Sequence, residues 1–383
     1  MARTADVIII GGGIHGCSTA LHLALRGLKP ILIEKDYAGR HASGVNAGGV
    51  RQLARDLLEI PLSIASMELW ERIEDLVGDD CGFSSHGTVL IAESDEELAG
   101  FRARVDDLRL RGFTHEELID RVELKRLVPE VSDYCPGGVV SRRDGAADPF
   151  RTTQAFRRRA IEEGAEIVEG VTVTGLTRTG SNWRIDTSDG AFEAPKVVNA
   201  AGAWADRIAA MLGEPVPLTV VAPMLMVTSA LAPFIEPVVI LRGRKLSFKQ
   251  RENGTVVIGG GHLATPYRDR NETVIDWSKL ALSARTVWEL FPAMHEATIV
   301  RAWAGIEAYM PDGVPVVGRS STSEGVFHQF GFSTHGFQLG PATGAVMAEL
   351  VATGSTNTPI DGLGIERFRR QVVTDRQAVV HES

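Results

Sequence analysis

Asp6-Val7-Ile8-Ile9-Ile10-Gly11-Gly12-Gly13-Ile14-His15-Gly16, followed by Pro30-Ile31-Leu32-Ile33-Glu34, is the stretch that decides the fold class. Val7 to Ile10 is an apolar, β-branched run without polar alternation, the pattern of a strand buried on both faces. A helical pattern then runs to about Leu25, and Gly27 supplies its C-terminal stop. Strand, glycine turn, helix and second strand make a βαβ unit, which implies a parallel sheet. In Gly11-x-Gly13-x-x-Gly16 the first glycine permits the turn, the second lets backbone approach a pyrophosphate, and the third lets helix and strand pack closely. Phosphates would sit on the helix N-terminus, where unpaired N–H groups and the positive dipole end favour negative charge. Glu34 falls 18 residues beyond Gly16, near the spacing of about 20 expected for a ribose hydroxyl acceptor. These residues predict dinucleotide binding without separating NAD from FAD.

Outward from this unit, residues 46 to 144 turn helical and charged, as in Asp95 to Arg111, with one strand-like patch at Gly87 to Ala92. Strand and helix patterns return at Asp148 to Gly202, where Asp148-Pro149 reads as a helix start and Lys196 to Ala200 as a buried strand. From about Glu214 to Ile299 short strands predominate, and Glu252-Asn253-Gly254 is a hairpin turn between Lys245 to Gln250 and Thr255 to Gly259. The expected fold is α/β: a discontinuous Rossmann-like nucleotide domain (residues 1–45, 145–213 and 300–383) plus an α+β substrate domain with an antiparallel sheet (46–144 and 214–299). The polar tail after about Arg370 is expected to fray.

Composition narrows the function classes. The 383 residues carry a formal net charge of -9, with acidic and basic residues mixed along the chain, which argues against nucleic acid as a partner. Cys17, Cys81 and Cys135 lie far apart, so neither a CxxC metal or redox pair nor a disulfide framework is available, and no metal is called for. The opening residues lack the layout of a secretory signal, and a cytoplasmic location is expected. Val216 to Ile235 contains no charged residue, but Pro217, Pro223 and Pro233 interrupt it, which suits strands and leaves peripheral membrane contact as the most a bilayer would receive.

Five further motifs accompany the glycine turn: His41-Ala42-Ser43-Gly44-Val45-Asn46-Ala47-Gly48-Gly49, Val197 to Trp204 (VVNAAGAW), Arg301-Ala302-Trp303-Ala304-Gly305, Pro311-Asp312-Gly313-x-Pro315-x-x-Gly318, and Gly331-x-x-x-His335-Gly336-Phe337-x-x-Gly340-Pro341. In this order they resemble the D-amino-acid oxidase and glycine oxidase superfamily of FAD enzymes, which also includes sarcosine oxidase and amino-acid dehydrogenase flavoproteins. The resemblance spans most of the chain. It implies FAD, an oxidoreductase, and cofactor contacts at Gly11, Gly13, Ile14, His15, Gly16, Glu34, Lys35, Ser43, Gly48, Gly49, Val173, Ala201, Gly202, Trp204, Gly305, Gly331, His335, Gly336, Phe337 and Gln338. It also implies a helix opening at Pro341 whose N-terminus, with backbone donors from His335 to Leu339, stabilises charge at flavin N1.

For the substrate end the resemblance points to His262, Arg51, Glu307 and Tyr309. Relatives carry an arginine for the substrate carboxylate where this chain has Glu307-Ala308-Tyr309-Met310. Either Arg51, Arg242 or Lys245 anchors a carboxylate, or Glu307 attracts a cationic amine. Met310 stands near the flavin-linking cysteine of sarcosine oxidases, so FAD is expected to be non-covalent. The implied reaction is oxidative deamination or demethylation of a primary or secondary amine or amino acid (a D-amino acid, an N-methyl amino acid or a cyclic imino acid), by hydride transfer to flavin N5. Oxygen, a quinone or a redox partner protein would take the electrons; apolar Val257 and Ile258, where sarcosine oxidases place an oxygen-activating lysine, tilt toward a dehydrogenase. A flavin-binding subunit of a hetero-oligomer, serving assembly or electron relay, is the alternative, and a homo-oligomer is compatible with either. An NAD-dependent dehydrogenase would leave the C-terminal motifs unexplained.

Overall fold

The computed structural model describes residues 2–369. The expected fraying after Arg370 falls outside the described residues. Val7–Ile10 and Pro30–Glu34 are adjacent parallel strands joined by the helix Ile14–Ala24. They lie in a six-stranded sheet whose order is 316–319, 326–330, 196–199, 7–10, 30–34 and 166–169; the first strand alone runs antiparallel to its neighbour. Ile8, Ile9, Val197 and Val198 are wholly buried, each such side chain contributing roughly 1.5–3 kcal/mol. The Rossmann-like α/β fold therefore rests on the apolar runs from which it was expected.

Two helices cover one face of this sheet so closely that glycine is required between them. A Cβ on Gly344 of the C-terminal helix (Gly336–Thr353) would lie 2.1 Å from Ser18 Oγ of the nucleotide helix. That C-terminal helix begins at Gly336, not at Pro341 as expected. Pro341 lies inside it, at the sixth helical position, beyond the first turn, so its missing N–H interrupts the i→i−4 ladder there. The helix Pro149–Glu162 opens as read, with Asp148 accepting from Arg151 N at 2.8 Å.

The larger sheet is mixed and mainly antiparallel. Its long central strand, Thr219–Thr228, comes from the uncharged stretch that raised the membrane question. It pairs with strands 256–259, 263–267, 299–304 and 307–309. Strands 246–250 and 256–259 form the antiparallel hairpin expected around Asn253-Gly254. Phe248, Phe291 and Leu290 lie in the core between this sheet and the helix Trp277–Leu290. A smaller four-stranded sheet, of strands 3–4, 190–194, 182–187 and 173–179, flanks the nucleotide unit. Among the described residues no helix is long and apolar enough to cross a membrane.

Candidate active site

A single cavity of about 810 Å³ runs from the glycine turn to the large sheet. At its nucleotide end the backbone is fixed by contacts only glycine permits. A Cβ on Gly11 would meet Ala200 O at 2.4 Å, and one on Gly16 would meet Gly11 O at 1.9 Å. Gly11 also has φ +111°, in the region L side chains avoid. Ser43 Oγ accepts from Ile14 N at 2.9 Å, so a side chain from a separate loop caps the nucleotide helix. Glu34 accepts from Gly12 N at 2.6 Å and from Asp36 N at 2.9 Å. Burial raises the Glu34 carboxyl above its usual range, against those two donors.

Beside Glu34, Lys35 bonds Asn271 Oδ1 at 2.7 Å and His41 at 3.0 Å, pairs with Asp36, and lies 4.1 Å over the Trp204 ring. This cluster carries segment 268–271 from the large sheet onto the nucleotide end. Arg268 reinforces it by bonding Ala203 O at 2.7 Å and Asp206 at 2.6 Å.

Midway, His15 stacks on Phe332 with ring centroids 3.7 Å apart. Burial pushes its imidazole down to about 3, so the ring is neutral, and its Nε2 has no partner. Gly336 and Phe337, the first residues of the C-terminal helix, form the adjoining wall. Their N–H groups precede the first intrahelical bonds.

At the far end the wall holds Arg51, Arg55, Glu307 and Tyr309 beside the apolar Leu225, Ile240 and Leu263. Arg51 donates to Leu53 O at 2.5 Å. Its loop is pinned by Asp144, which accepts from Gln52 N, Leu53 N and Ser141 Oγ at 2.9, 3.0 and 2.8 Å. Arg55 is 2% exposed, and its Nε and Nη1 have no partner. Burial first, then the charge of Arg51, pull its guanidinium down to about 9. Glu307 accepts from Thr334 N at 2.6 Å, and burial outweighs that bond and lifts its carboxyl to about 7. Burial, then the Glu307 charge, push Tyr309 up to about 12.

The cavity wall brings together Gly11, Gly13, Ile14, His15, Glu34, Lys35, Ser43, Gly49, Arg51, Val173, Ala201, Gly202, Trp204, Gly305, Glu307, Tyr309, Gly331, Gly336 and Phe337. Five expected residues stand off it. Gly16 acts one layer behind, in packing, and Gly48, at φ +72°, turns the chain against Ala147. Gln338 is wholly buried against Ser63. His335 spends its Nδ1 on Glu59 at 2.9 Å, and burial holds the ring neutral, near 4. His262 is the substantive correction. Gly260 and Gly261 both have positive φ and break the strand alternation; Gly261 and Leu263 reach the wall, while His262 does not and its carbonyl accepts from Met224 N at 2.9 Å. Of the alternative cations, Arg242 and Lys245 do line the cavity, both exposed.

Sequence reasoning missed Arg55 and Lys249. Arg55 follows Arg51 by four residues in the same loop. Lys249 is 3% exposed with an unpartnered Nζ, 3.2 Å from where a Gly48 Cβ would lie. It stands opposite Val257, one strand from where a lysine was sought. The alternation Ser247-x-Lys249 carried the signal, since Ser247 lines the cavity and Phe248 faces the core. Among the described residues no group of His, Cys, Asp or Glu could hold a metal ion.

Such a cradle, with glycines that leave no room for a Cβ at one end and a walled pocket at the other, fits a dinucleotide whose reactive half reaches the large sheet. The profile of the FAD dependent oxidoreductase family matches residues 6–350. The chain belongs to that family. The sarcosine oxidase subunit beta of Rhizobium meliloti is 28% identical over 384 residues, covering 97% of this chain and 90% of that protein. The crystal structure of L-proline dehydrogenase from P. horikoshii superposes with a TM-score of 0.90 at 29% identity, covering 97% and 99% of the two chains. Glycine oxidase from Geobacillus kaustophilus shares the fold, with a TM-score of 0.87 at 23% identity over 95% and 99%. The protein is an FAD-dependent oxidoreductase, and the remaining question is what it oxidises.

Proposed function

We propose that this family member oxidises an amino acid at the carbon bearing a primary or secondary amine, a D-amino acid, an N-methyl amino acid or a cyclic imino acid, giving an imine that water hydrolyses. The carrying observation is that the far wall offers both an unpaired guanidinium, Arg55, and a carboxylate with no cationic partner, Glu307. Glu59 and Asp144 pull on Arg55 without pairing with it, and a buried charge with no direct partner is costly. A zwitterion supplies both missing partners. The sequence alternatives, a carboxylate anchor or a cation anchor, thus become two ends of one site, with Arg51 and Arg55 on the carboxylate and Glu307 on the amine.

Bound FAD supplies the hydride acceptor, held without a covalent link, since the thioether of Met310, which packs beside Gly331, stands near where the sarcosine oxidases carry their flavin-linking cysteine. The chain's own work is to orient the amino acid, exclude water with Leu225, Ile240 and Leu263, and set charge at the flavin through the first N–H groups of the C-terminal helix. The division expected from sequence sets an FAD-binding unit of 1–45, 145–213 and 300–383 against a substrate unit of 46–144 and 214–299; strands 299–304 and 307–309 pair with Thr219–Thr228 of the large sheet, so 300–309 goes with the substrate unit, and 370–383 lie outside the described residues. The likeness to a protein named as a subunit supports a hetero-oligomer, and the electrons would pass to oxygen, a quinone or a redox partner protein.

The test is anaerobic flavin bleaching with glycine, N-methylglycine, L-proline and D-alanine, each beside its decarboxylated analogue. Arg55→Ala should raise the dissociation constant of the active amino acid by a free energy of about 2–5 kcal/mol, as for truncation of one partner in a desolvated charge pair, and leave that of the decarboxylated amine unchanged. Equal bleaching by amino acid and amine in the wild-type protein would refute the carboxylate end of this reading.

A further inference from the structure

Around Glu307 the protein provides no compensating charge. Strand Glu307–Tyr309 pairs with Val221, Val220 and Thr219, and Ile306 and Ala308 pack against Ala203 of the turn Gly202–Trp204. None of these is charged. The titratable neighbours are Tyr309 on the same strand and His335 beyond Thr334, whose Nδ1 is engaged by Glu59. Among the described residues Glu307 makes no salt bridge.

The one bond it does receive comes from an unusual backbone. Ser333 and Thr334 both have positive φ, 48° and 72°, a region side chains disfavour and proteins retain where the surroundings enforce it. Here the strand of Glu307 does the enforcing: Ser333 N donates to Ala308 O at 3.2 Å, and Met310 N donates to Ser333 Oγ at 3.1 Å. The strained pair aims Thr334 N at Glu307 Oε1. Oε2 is left to the cavity.

Taking the amino-acid reading above as its basis, we propose that Glu307 is the proton acceptor for the substrate's ammonium group, so that the zwitterion is the form bound and the neutral amine is made in place. The need is chemical. An ammonium nitrogen has no lone pair with which to form the imine. When an N–H bond breaks, its electron pair stays on nitrogen and the proton forms an O–H bond at Oε2. That pair then becomes the second bond of C=N as the C–H pair departs as hydride to the oxidant, bound FAD. Thr334 N–H keeps Oε1 occupied, so Oε2 is the oxygen that takes the proton. Burial lifts the carboxyl to about 7, which brings its proton affinity close to that of the donor, the condition under which general-base transfer is efficient near neutral pH. The carboxylate form is the active one, so the rate should rise with pH through that value and level off above it.

The experiment follows the limiting rate of anaerobic flavin reduction in the holoenzyme from acid to alkaline pH, with L-proline and N-methylglycine, for the wild-type protein and Glu307→Gln. The wild-type limiting rate divided by the dissociation constant, which reports the free enzyme, should rise about tenfold per pH unit below about 7. At pH 7 the variant should be slower by about 10²-fold or more. At alkaline pH, where the amino acid arrives already neutral, it should approach the wild-type rate. An independent readout uses N,N,N-trimethylglycine, a cation with no N–H proton to give. Its binding near pH 7 should release a fraction of a proton from the wild-type protein and none from the variant. Overlaid pH profiles, a loss in the variant that is the same at every pH, or no proton release from the wild-type protein would each overturn the inference. Failure of every amino acid to reduce wild-type flavin at any pH would instead overturn the reading on which it rests.

Discussion

The two ends of the cavity are built on opposite principles. At the nucleotide end the polar groups are paired within the protein: Glu34 with two backbone N–H groups, Ser43 with the start of a helix, Lys35 with Asp36, His41 and Asn271, Arg268 with Asp206. At the far end Arg55 and, just behind the wall, Lys249 keep buried donors with no partner, and Glu307 has no cation. The first end is a rigid shape into which a ligand of fixed structure fits. The second is an unsatisfied charge pattern completed by whatever arrives. Shape held by backbone tolerates little change, whereas a charge pattern can be altered one group at a time with the fold intact.

Gly16→Ala should have the largest effect. The added methyl would lie 1.9 Å from Gly11 O, a backbone atom that cannot swing aside, so the turn must open, and overpacking of this kind costs about 1–3 kcal/mol or more. The variant should purify without flavin and melt earlier than wild-type apoprotein, as absorbance and thermal unfolding would show. A variant that binds FAD normally would mean that the third glycine is not a packing requirement.

The difference between the two ends also explains what could be read from sequence. Glycines that touch backbone, and strands such as Val7–Ile10 with no polar residue, announce themselves because few residue types can do what they do. Arg55 and Lys249 are ordinary residues whose significance lies wholly in being buried without partners, which only the packing of loop 51–59 and of strand 246–250 decides. His262 stands off the cavity wall, directly after two glycines of positive φ that interrupt the strand pattern from which its place was expected. Pro341 misled because a proline near a helix start looks like the start itself, although the chain had already turned helical at Gly336.

Glu34→Ala sharpens the nucleotide side of the comparison. Were Glu34 only a ribose acceptor, its loss would lower FAD affinity alone. Because its oxygens also hold Gly12 N and Asp36 N, the variant should lose apoprotein stability as well, each bond to a charged acceptor being worth about 1.5–3 kcal/mol. Melting temperatures of apo and FAD-loaded protein separate the two effects. Unchanged apoprotein stability would show that the turn holds without the carboxylate.

Lys249→Met probes the far end with the smallest expected change and the opposite sign. Burial, then the charge of Arg251, drive the Lys249 ammonium well below its ordinary value of 10.5, against a weaker pull from Asp148. In the folded protein Lys249 gives up its proton at a pH where the unfolded chain, with the ordinary value, still holds it. Above the depressed value the unfolded state therefore binds more protons, and this residue makes stability rise with pH up to about 10.5. Methionine has similar length and nothing to desolvate. The variant should be more stable at pH 7 by about 1–3 kcal/mol, the cost of an unsatisfied buried donor, and its stability should depend less on alkaline pH. Denaturant unfolding at pH 7 and pH 10 measures both quantities. A residue kept at such a cost beside Gly48 should matter to the reaction, so the stabilised variant should also show an altered rate of flavin reduction or reoxidation. If stability rises and both rates stay as in the wild type, Lys249 is a tolerated defect of packing and the unsatisfied pattern belongs to Arg55 and Glu307 alone.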